Sequence, residues 1–509
     1  MRIRPALVLA AATLLLGAWA PPRAAFASHR CVPWGLLADS LEALQSPVVD
    51  GCHFGILAIS LDRGDTLLSL NPGDRFIPAS NMKLFVTGAF LRQFGPQARG
   101  VTAVGAVGKL KRAKDGRIKE LDGDLILHGS GYPDIVQLLR PGSRGLLDSL
   151  AYLLHESGLQ KFKGTVRIDG SLFAPEPFGP GWAIDDMPFS YGAPLNAVLA
   201  NGNAATLLAT ATPGGVTLSL DPPETPLRIV GRVNLTDPGA MPVLSITREP
   251  GSHTLRVTGR IPRGSAAKRQ VSVPDPDSTA GLFLVGSMRR AGIDVDAKVA
   301  VVAAGTSPPL ETVTLLRLDS PPASEVVAMV DAYSLNAETE ALLRHLDPAP
   351  VGKSAGPALR RLASILAEAG IDTLDLSFVD GSGLSPLDLA TPRAFVRWLE
   401  SLNRDPVLGS IFREALASPG AVGTLQKRFQ SLPPGALVRA KSGTLTNVSG
   451  LSGYVTTQGG ERVAFSILSN GNRSSVSAAH AAEEEIVTVL SRFTRAPALP
   501  QYGPRMIPR

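Results

Sequence analysis

Along the chain the rhythm of apolar and polar positions changes twice. Residues 54–62 and 66–70 are short, mostly apolar runs on either side of Arg63-Gly64-Asp65, the pattern of a β-hairpin closed by a Gly-containing turn. Pro78-Ala79-Ser80-Asn81-Met82-Lys83 follows, and the apolar positions Leu84, Phe85, Val86, Phe90 and Leu91 then predict a buried helix opening near Ser80. From about residue 94 to 319 short β-like segments take over, at 164–168, 216–220, 227–235, 254–261 and 295–302, interrupted by helical patterns at 146–156 and 279–290. After about residue 320 the helical period returns at 323–333, 337–345, 357–369 and 392–402. Strands at 448–456 and 462–469 then flank Gln458-Gly459-Gly460, and a last helix runs over 476–493. No fixed-period repeat is present.

This rhythm predicts an α/β domain built from both ends of the chain, residues 28–93 and 320–495, with residues 94–319 as a β-rich insertion of two lobes. A length of 509 residues agrees with about three domains at ~150 residues each. Hydrophobic residues at 44% and charged residues at 18%, with both signs interspersed, exclude a disordered or fibrous chain. The Pro-rich tail, 496–509, reads as disordered. The net charge of +6 includes Arg2, Arg4 and Arg23, which no acid opposes within the first 27 residues, so the remainder carries only +3. The one dense basic cluster, Arg263, Lys268 and Arg269, lacks interleaved aromatics and reads as a solvated loop; no nucleic-acid partner is expected.

The amino terminus accounts for that asymmetry. A basic start, an apolar run from Ala6 to Ala20, Pro21-Pro22 and then Ala25-Phe26-Ala27 form a secretory signal, residues 1–27, cleaved before Ser28. The run of 15 residues falls short of the ~20 needed to span a bilayer. Ser28-His29-Arg30 before Cys31 does not fit a lipoprotein cleavage site. The expected location is periplasmic or otherwise extracytoplasmic, and there Cys31 and Cys52 most simply form one disulfide. No later run can span a membrane, so the mature chain should be soluble, with peripheral membrane association left open.

Ser80 and Lys83 are the candidate chemistry. Three residues apart at a helix start, they lie on one face, close enough for a neutral lysine amine to take the serine proton without a histidine. Burial and a second cation both lower a lysine pKa to that end. Ser-x-x-Lys alone is weak, and Ser265-Ala-Ala-Lys268 is a second match, but only Ser80 follows a hairpin and opens an apolar helix. Two fragments strengthen the signal: Ser334-Leu335-Asn336, between two helices, and Lys441-Ser442-Gly443-Thr444, before the carboxyl-terminal strand pair. Active-site serine enzymes that react with β-lactams carry Ser-x-x-Lys, Ser-x-Asn and Lys-Thr/Ser-Gly in this order. Ser401-Leu402-Asn403, at the end of an ordinary amphipathic helix, is set aside.

With these motifs the chain resembles the low-molecular-mass class C penicillin-binding proteins, the D-alanyl-D-alanine carboxypeptidase/endopeptidase family, over roughly residues 35–490. The likeness extends to Gly123-Asp124-Leu125, Trp182, Tyr191-Gly192-Ala193-Pro194, residues 379–385, Gly423-Thr424-Leu425 and residues 450–454. The 250 residues between Lys83 and Ser334 fit that family better than a β-lactamase. Ser442 stands where the family commonly has Thr, which keeps the hydroxyl, and 128–133 departs from the usual Gly-rich run.

The resemblance implies a penicillin-binding, serine β-lactamase-like domain, an antiparallel sheet flanked by helices. It implies Ser80 as nucleophile, Lys83 as base, Ser334 as proton carrier and Asn336 as orienting group. Backbone N–H groups of Ser80 and Thr444 would bind the oxyanion, and Lys441, Ser442 and Gly443 would line the substrate-carboxylate site. Peptidoglycan stem peptides are the implied substrates and β-lactams the covalent inhibitors. The rival readings are a β-lactamase on the same scaffold and a non-catalytic wall-binding protein. No cofactor or metal is expected: the seven histidines are scattered, no two closer than 24 residues.

Overall fold

A computed structural model describes residues 35–37, 52–302, 312–473 and 475–495. The expected signal at 1–27, Cys31 with its bridge to Cys52, and the tail at 496–509 lie outside the described residues or depend on them.

Strands β1 (His53–Ser60) and β2 (Thr66–Leu70) form the expected hairpin. A 3₁₀ turn, Ala79–Met82, leads into α1 (Lys83–Phe94), in which every residue from Lys83 to Leu91 is buried. A helix apolar on all sides belongs inside a core, and α1 runs through the middle of one. Gly95, at φ 81°, ends it.

The middle of the chain contributes β3 (Val101–Arg112), β4 (Ile118–His128), α2 (Val136–Leu139), α3 (Leu146–Glu156) and β5 (Lys161–Asp169). After them come β6 (Ala204–Thr212), β7 (Gly215–Asp221), β8 (Arg228–Val230), β9 (Val233–Thr236), β10 (Val243–Thr247), β11 (Thr254–Pro262) and β12 (Ala266–Ser272). Helix α4 (Pro276–Arg290), β13 (Asp294–Val301) and β14 (Val313–Asp319) complete this part. One five-stranded mixed sheet runs β13-β5-β4-β3-β14, and its core takes in Leu150 and Leu154 of α3 and Phe283 and Leu284 of α4. A separate core, including Leu207, Ile246, Leu255 and Val271, lies between the sheets β12-β6-β7 and β10-β11-β8.

Two expectations change here. The single segment at 227–235 is two strands, because β8 and β9 both pair parallel with β11 on either side of Gly231, at φ 108°, where a Cβ would stand 2.3 Å from the Val257 carbonyl oxygen. Lys268 and Arg269 are not in a loop but in β12, paired with β6, their side chains exposed. The rival Ser265 is a turn residue whose hydroxyl donates to the Pro262 carbonyl at 2.7 Å.

The carboxyl-terminal part holds α5 (Ala323–Tyr333), α6 (Asn336–His345), α7 (Ala355–Glu368), the short pair β15 (Leu376–Ser377) and β16 (Leu389–Ala390), α8 (Pro392–Arg404) and α9 (Leu408–Ala415). Strands β17 (Leu437–Leu445), β18 (Val448–Thr456) and β19 (Arg462–Asn470) and helix α10 (Val476–Arg492) follow. Lys441-Ser442-Gly443-Thr444 precedes that strand pair, β18 and β19, as expected, and itself lies within a further strand, β17, the first of three. Antiparallel pairing of β1 with β19 unites the chain's two ends in one sheet of order β17-β18-β19-β1-β2. Alternate residues of β1 serve opposite cores: Leu57 and Ile59 face the helices around α1, while Phe54, Ile56 and Ala58 face α10. Burial on both faces is why these strands read as continuous apolar runs.

Candidate active site

Three elements converge where β17 forms the sheet edge. The turn into α1 brings Ser80, half-buried, and Lys83, fully buried; the Lys83 Nζ donates to Ser80 Oγ at 3.0 Å. The α5–α6 junction brings Ser334 and Asn336. Ser334 ends α5 in the left-handed region at φ 60°, a conformation that costs a non-Gly residue about 1–2 kcal/mol. That turn aims its hydroxyl at the Lys441 Nζ, which donates to Ser334 Oγ at 2.9 Å and to the Ser442 carbonyl at 2.7 Å. Asn336 Oδ1 accepts from Lys83 Nζ at 2.6 Å, and its Nδ2 donates to the Tyr191 carbonyl at 2.8 Å.

β17 supplies Lys441, Ser442, Gly443 and Thr444, with Lys441 and Gly443 buried and Ser442 and Thr444 on the more open side, as strand alternation requires. Gly443 matters for close approach: a Cβ there would stand 2.9 Å from both the Ser80 nitrogen and the Pro78 carbonyl. Any side chain would force β17 away from Ser80 and separate the Ser80 and Thr444 amides. Thr444 Oγ1 lies 3.4 Å from His480 Nε2 of α10.

The eight candidate residues thus meet in one site. The groups around Lys83 were not anticipated. A third acceptor, the Ser382 carbonyl, lies 2.6 Å from Lys83 Nζ, on the loop 379–385 whose residues were noted without a role. Asp380 organises that loop: its Oδ1 accepts from Gly383 N at 2.7 Å, and its Oδ2 accepts from Ser385 N at 2.8 Å and from the Trp182 indole Nε1 at 2.8 Å. Glu340 Oε1 accepts from Gly381 N and Ser382 N at 2.9 and 2.7 Å. Asn336, Glu340 and Arg344 recur at intervals of four on α6 and are all buried, a polar stripe that was the available signal.

Burial lowers Lys83 to about 8 against the opposing pull of Asp380, Glu340, Asp331 and Glu338. Burial also lowers Lys441 to about 7, helped by the Lys83 ammonium and opposed by Asp331. Two buried ammoniums repel, so the lysines titrate as a pair that gives up its first proton near neutrality. Burial raises the carboxyls among them, Asp331 to about 6 and Glu340 to about 7. Chemically, the site holds a reachable hydroxyl against a buried amine, a second hydroxyl against a second amine, and an open strand edge bearing hydroxyls for an anion.

Residues 37–493 match the family model described as the D-Ala-D-Ala carboxypeptidase 3 (S13) family. The chain is 29% identical over 455 residues to the D-alanyl-D-alanine carboxypeptidase of Actinomadura sp. (strain R39), covering 86% of this chain and 81% of that one. It is 26% identical over 442 residues to the D-alanyl-D-alanine carboxypeptidase DacB of Haemophilus influenzae, covering 85% and 88%. Among solved structures, penicillin binding protein 4 of Haemophilus influenzae superposes with a TM-score of 0.72 at 24% identity, covering 89% of this chain and 99% of that one. A complex of that protein with a β-lactam gives a TM-score of 0.66 at 22% identity, with the same coverage.

Proposed function

The chain belongs to the D-Ala-D-Ala carboxypeptidase 3 (S13) family, and from that membership we propose how its own residues carry out the reaction. Ser80 Oγ attacks the carbonyl carbon between two terminal D-alanines of a peptidoglycan stem peptide while Lys83 Nζ takes the hydroxyl proton. The carbonyl oxygen becomes an oxyanion held by the backbone N–H groups of Ser80 and Thr444, a donor pair of which each member typically supplies ~3–4 kcal/mol. Ser334 hands a proton to the leaving amine and regains one from Lys441. The C–N bond breaks, D-alanine leaves, and water hydrolyses the ester on Ser80. The observation that carries this reading is the Lys83 Nζ, buried, held by Asn336 and Ser382 and 3.0 Å from Ser80 Oγ.

The substrate itself sets the proton distribution. Its terminal carboxylate, against Ser442 and Lys441, places a negative charge beside Lys441 and favours that ammonium. A cationic Lys441 then pushes Lys83 toward the neutral amine that can act as base. The reactive enzyme is the lysine pair carrying one proton. Plotted against pH, kcat/KM is therefore expected to form a bell, rising through about 7 and falling through about 8. A rate independent of pH across that window would remove the lysine pair from the mechanism.

The same site suits a crosslink in which D-alanine is joined to a diamino acid, so endopeptidase activity belongs to this reading. We read residues 28–93 and 320–495 as the catalytic domain and 94–319 as a two-lobed insertion, supported by the shared sheet of β1 and β19 and by the separate cores of the middle region. The start of the chain supports export to an extracytoplasmic compartment. Among the described residues no helix is long and apolar enough to cross a membrane. A β-lactam offers the same electrophilic carbonyl without a leaving group that departs. Mass spectrometry of penicillin-treated protein should find one adduct, on the peptide containing Ser80; an adduct elsewhere, or none, would overturn the assignment, and rapid loss of the adduct would mark a β-lactamase instead.

A further inference from the structure

Resting on the reading of Lys83 as base, we propose that the middle region of the chain positions this base: the strap from Gly179 to Gly192 fixes both oxygens that hold the Lys83 amine, through the Trp182 indole on Asp380 and the Tyr191 carbonyl on Asn336.

Among the described residues Lys83 Nζ has three hydrogen-bond partners, and one of them, Ser80 Oγ, is the group it must activate. The other two, Asn336 Oδ1 and the Ser382 carbonyl, set where the amine stands. Each is itself held from the strap. Asn336 has its amide orientation decided by the 2.8 Å bond from Nδ2 to the Tyr191 carbonyl, which leaves Oδ1 facing Lys83. Ser382 sits in the loop that Asp380 ties together, and the Trp182 Nε1 donates to Asp380 Oδ2 at 2.8 Å. Trp182 and Asp380 are both buried, so the bond is shielded from water. Gly179 makes room for it: a Cβ there would stand 2.4 Å from the indole Nε1 and 3.1 Å from the Asp380 Cβ.

The charged groups facing this arrangement come from several elements. Asp388 lies on the same loop as Asp380, and Glu340 approaches from α6 with Arg344 beyond it. Lys83 of α1 also faces Asp331 of α5 and Glu338 of α6, and its field reaches Lys441 of β17. A carbonyl accepting from Lys83 favours the ammonium over the amine, as does the Asp380 carboxylate. If the loop loosens and Ser382 O draws away, the lysine pair loses protons at lower pH. The amine also loses its alignment with Ser80, which costs rate in its own right.

The test compares the mature enzyme with Trp182→Phe, which removes only the indole N–H and part of the ring, and with Gly179→Ala, which displaces the ring without removing it. The second-order acylation rate with a fluorescent penicillin is measured from about pH 5 to about pH 10. Both variants are expected to lose about tenfold at the maximum and to move the bell about half a pH unit toward acid. A fall in the maximum with an unmoved bell would make Trp182 a packing residue and overturn the proposal. An unchanged maximum and bell in both variants would overturn it as well. Neither result touches the assignment of Ser80 and Lys83, which fails separately if the wild-type adduct is not on Ser80. Should Trp182→Phe not fold, Gly179→Ala decides alone.

Discussion

Ser80→Ala should abolish both D-alanine release from a pentapeptide and labelling by fluorescent penicillin, with a loss of about 10⁴-fold or more in kcat. The proposed mechanism routes every turnover through an ester on Ser80 Oγ, and among the described residues it is the Ser80 hydroxyl that Lys83 Nζ contacts. Ser334 is the nearest rival in chemistry, but its oxygen is engaged with Lys441 Nζ at 2.9 Å, not with Lys83. The substitution should leave the fold intact, because Ser80 is only half-buried and, among the described residues, the one side-chain hydrogen bond its hydroxyl makes is the one from Lys83. Thermal unfolding within about 1 kcal/mol of wild type, together with no detectable product, is the expected pair of results. Retention of more than about a hundredth of the wild-type release rate would sink the acyl-enzyme assignment.

Lys83→Met should be nearly as damaging to rate and more damaging to the protein. Removal of a general base typically costs 10²–10⁴-fold, and about that loss is expected in acylation by penicillin. The structural effect comes from the company Lys83 keeps. Burial already raises Asp331, Glu338 and Glu340, and the Lys83 charge opposes that rise at Asp331 and Glu338. Taking the cation away leaves Asp331 and Glu338 without part of their compensation, at a cost of about 3 kcal/mol near neutrality.

The sign of its pH dependence follows from the direction of those shifts. A carboxyl whose pKa is raised in the folded protein binds its proton more tightly there than in the unfolded chain, so its burial becomes costlier as pH rises above the unfolded value. Lys83→Met raises Asp331 and Glu338 further. Its deficit in stability should therefore be larger at pH 7 than at pH 5, where Asp331 is mostly protonated and needs no cation. Denaturant unfolding at the two pH values measures this. An equal deficit at both would mean that packing of the lysine stem, not its charge, is what the fold uses.

Most secondary structure was legible because it is encoded locally. The hairpin of β1 and β2, the buried helix after Ser80, α5, α6, α8 and α10 all stand within a few residues of where apolar period and capping residues put them. Thr391 shows why: its hydroxyl accepts from Ala394 N, and Pro392 occupies the first helical position of α8. The misses are of another kind. β17 mixes Arg439, Lys441, Ser442, Gly443 and Thr444 with four apolar residues, and it is a strand because β18 offers it a nine-residue register, not because its own pattern demands it. The long β3–β4 hairpin escaped notice because Lys109, Lys111, Arg112, Lys119 and Glu120 break the alternation on its solvent side.

The chain alone determined which groups stand close in sequence and what chemistry they are capable of. Ser80 and Lys83 had to share a helix face, and Ser334 and Asn336 had to flank a helix junction. That information is short-range: a helical turn or a strand's two-residue period carries it. What only the tertiary structure decided is which carbonyl, carboxyl and indole would surround the lysines. Ser382, Asp380, Trp182 and Tyr191 come to the surroundings of Lys83 from 99 to 299 positions away along the chain, by way of separate elements. Their effect on a pKa comes from burial and from distances of about 3 Å, quantities that exist only once those elements have packed.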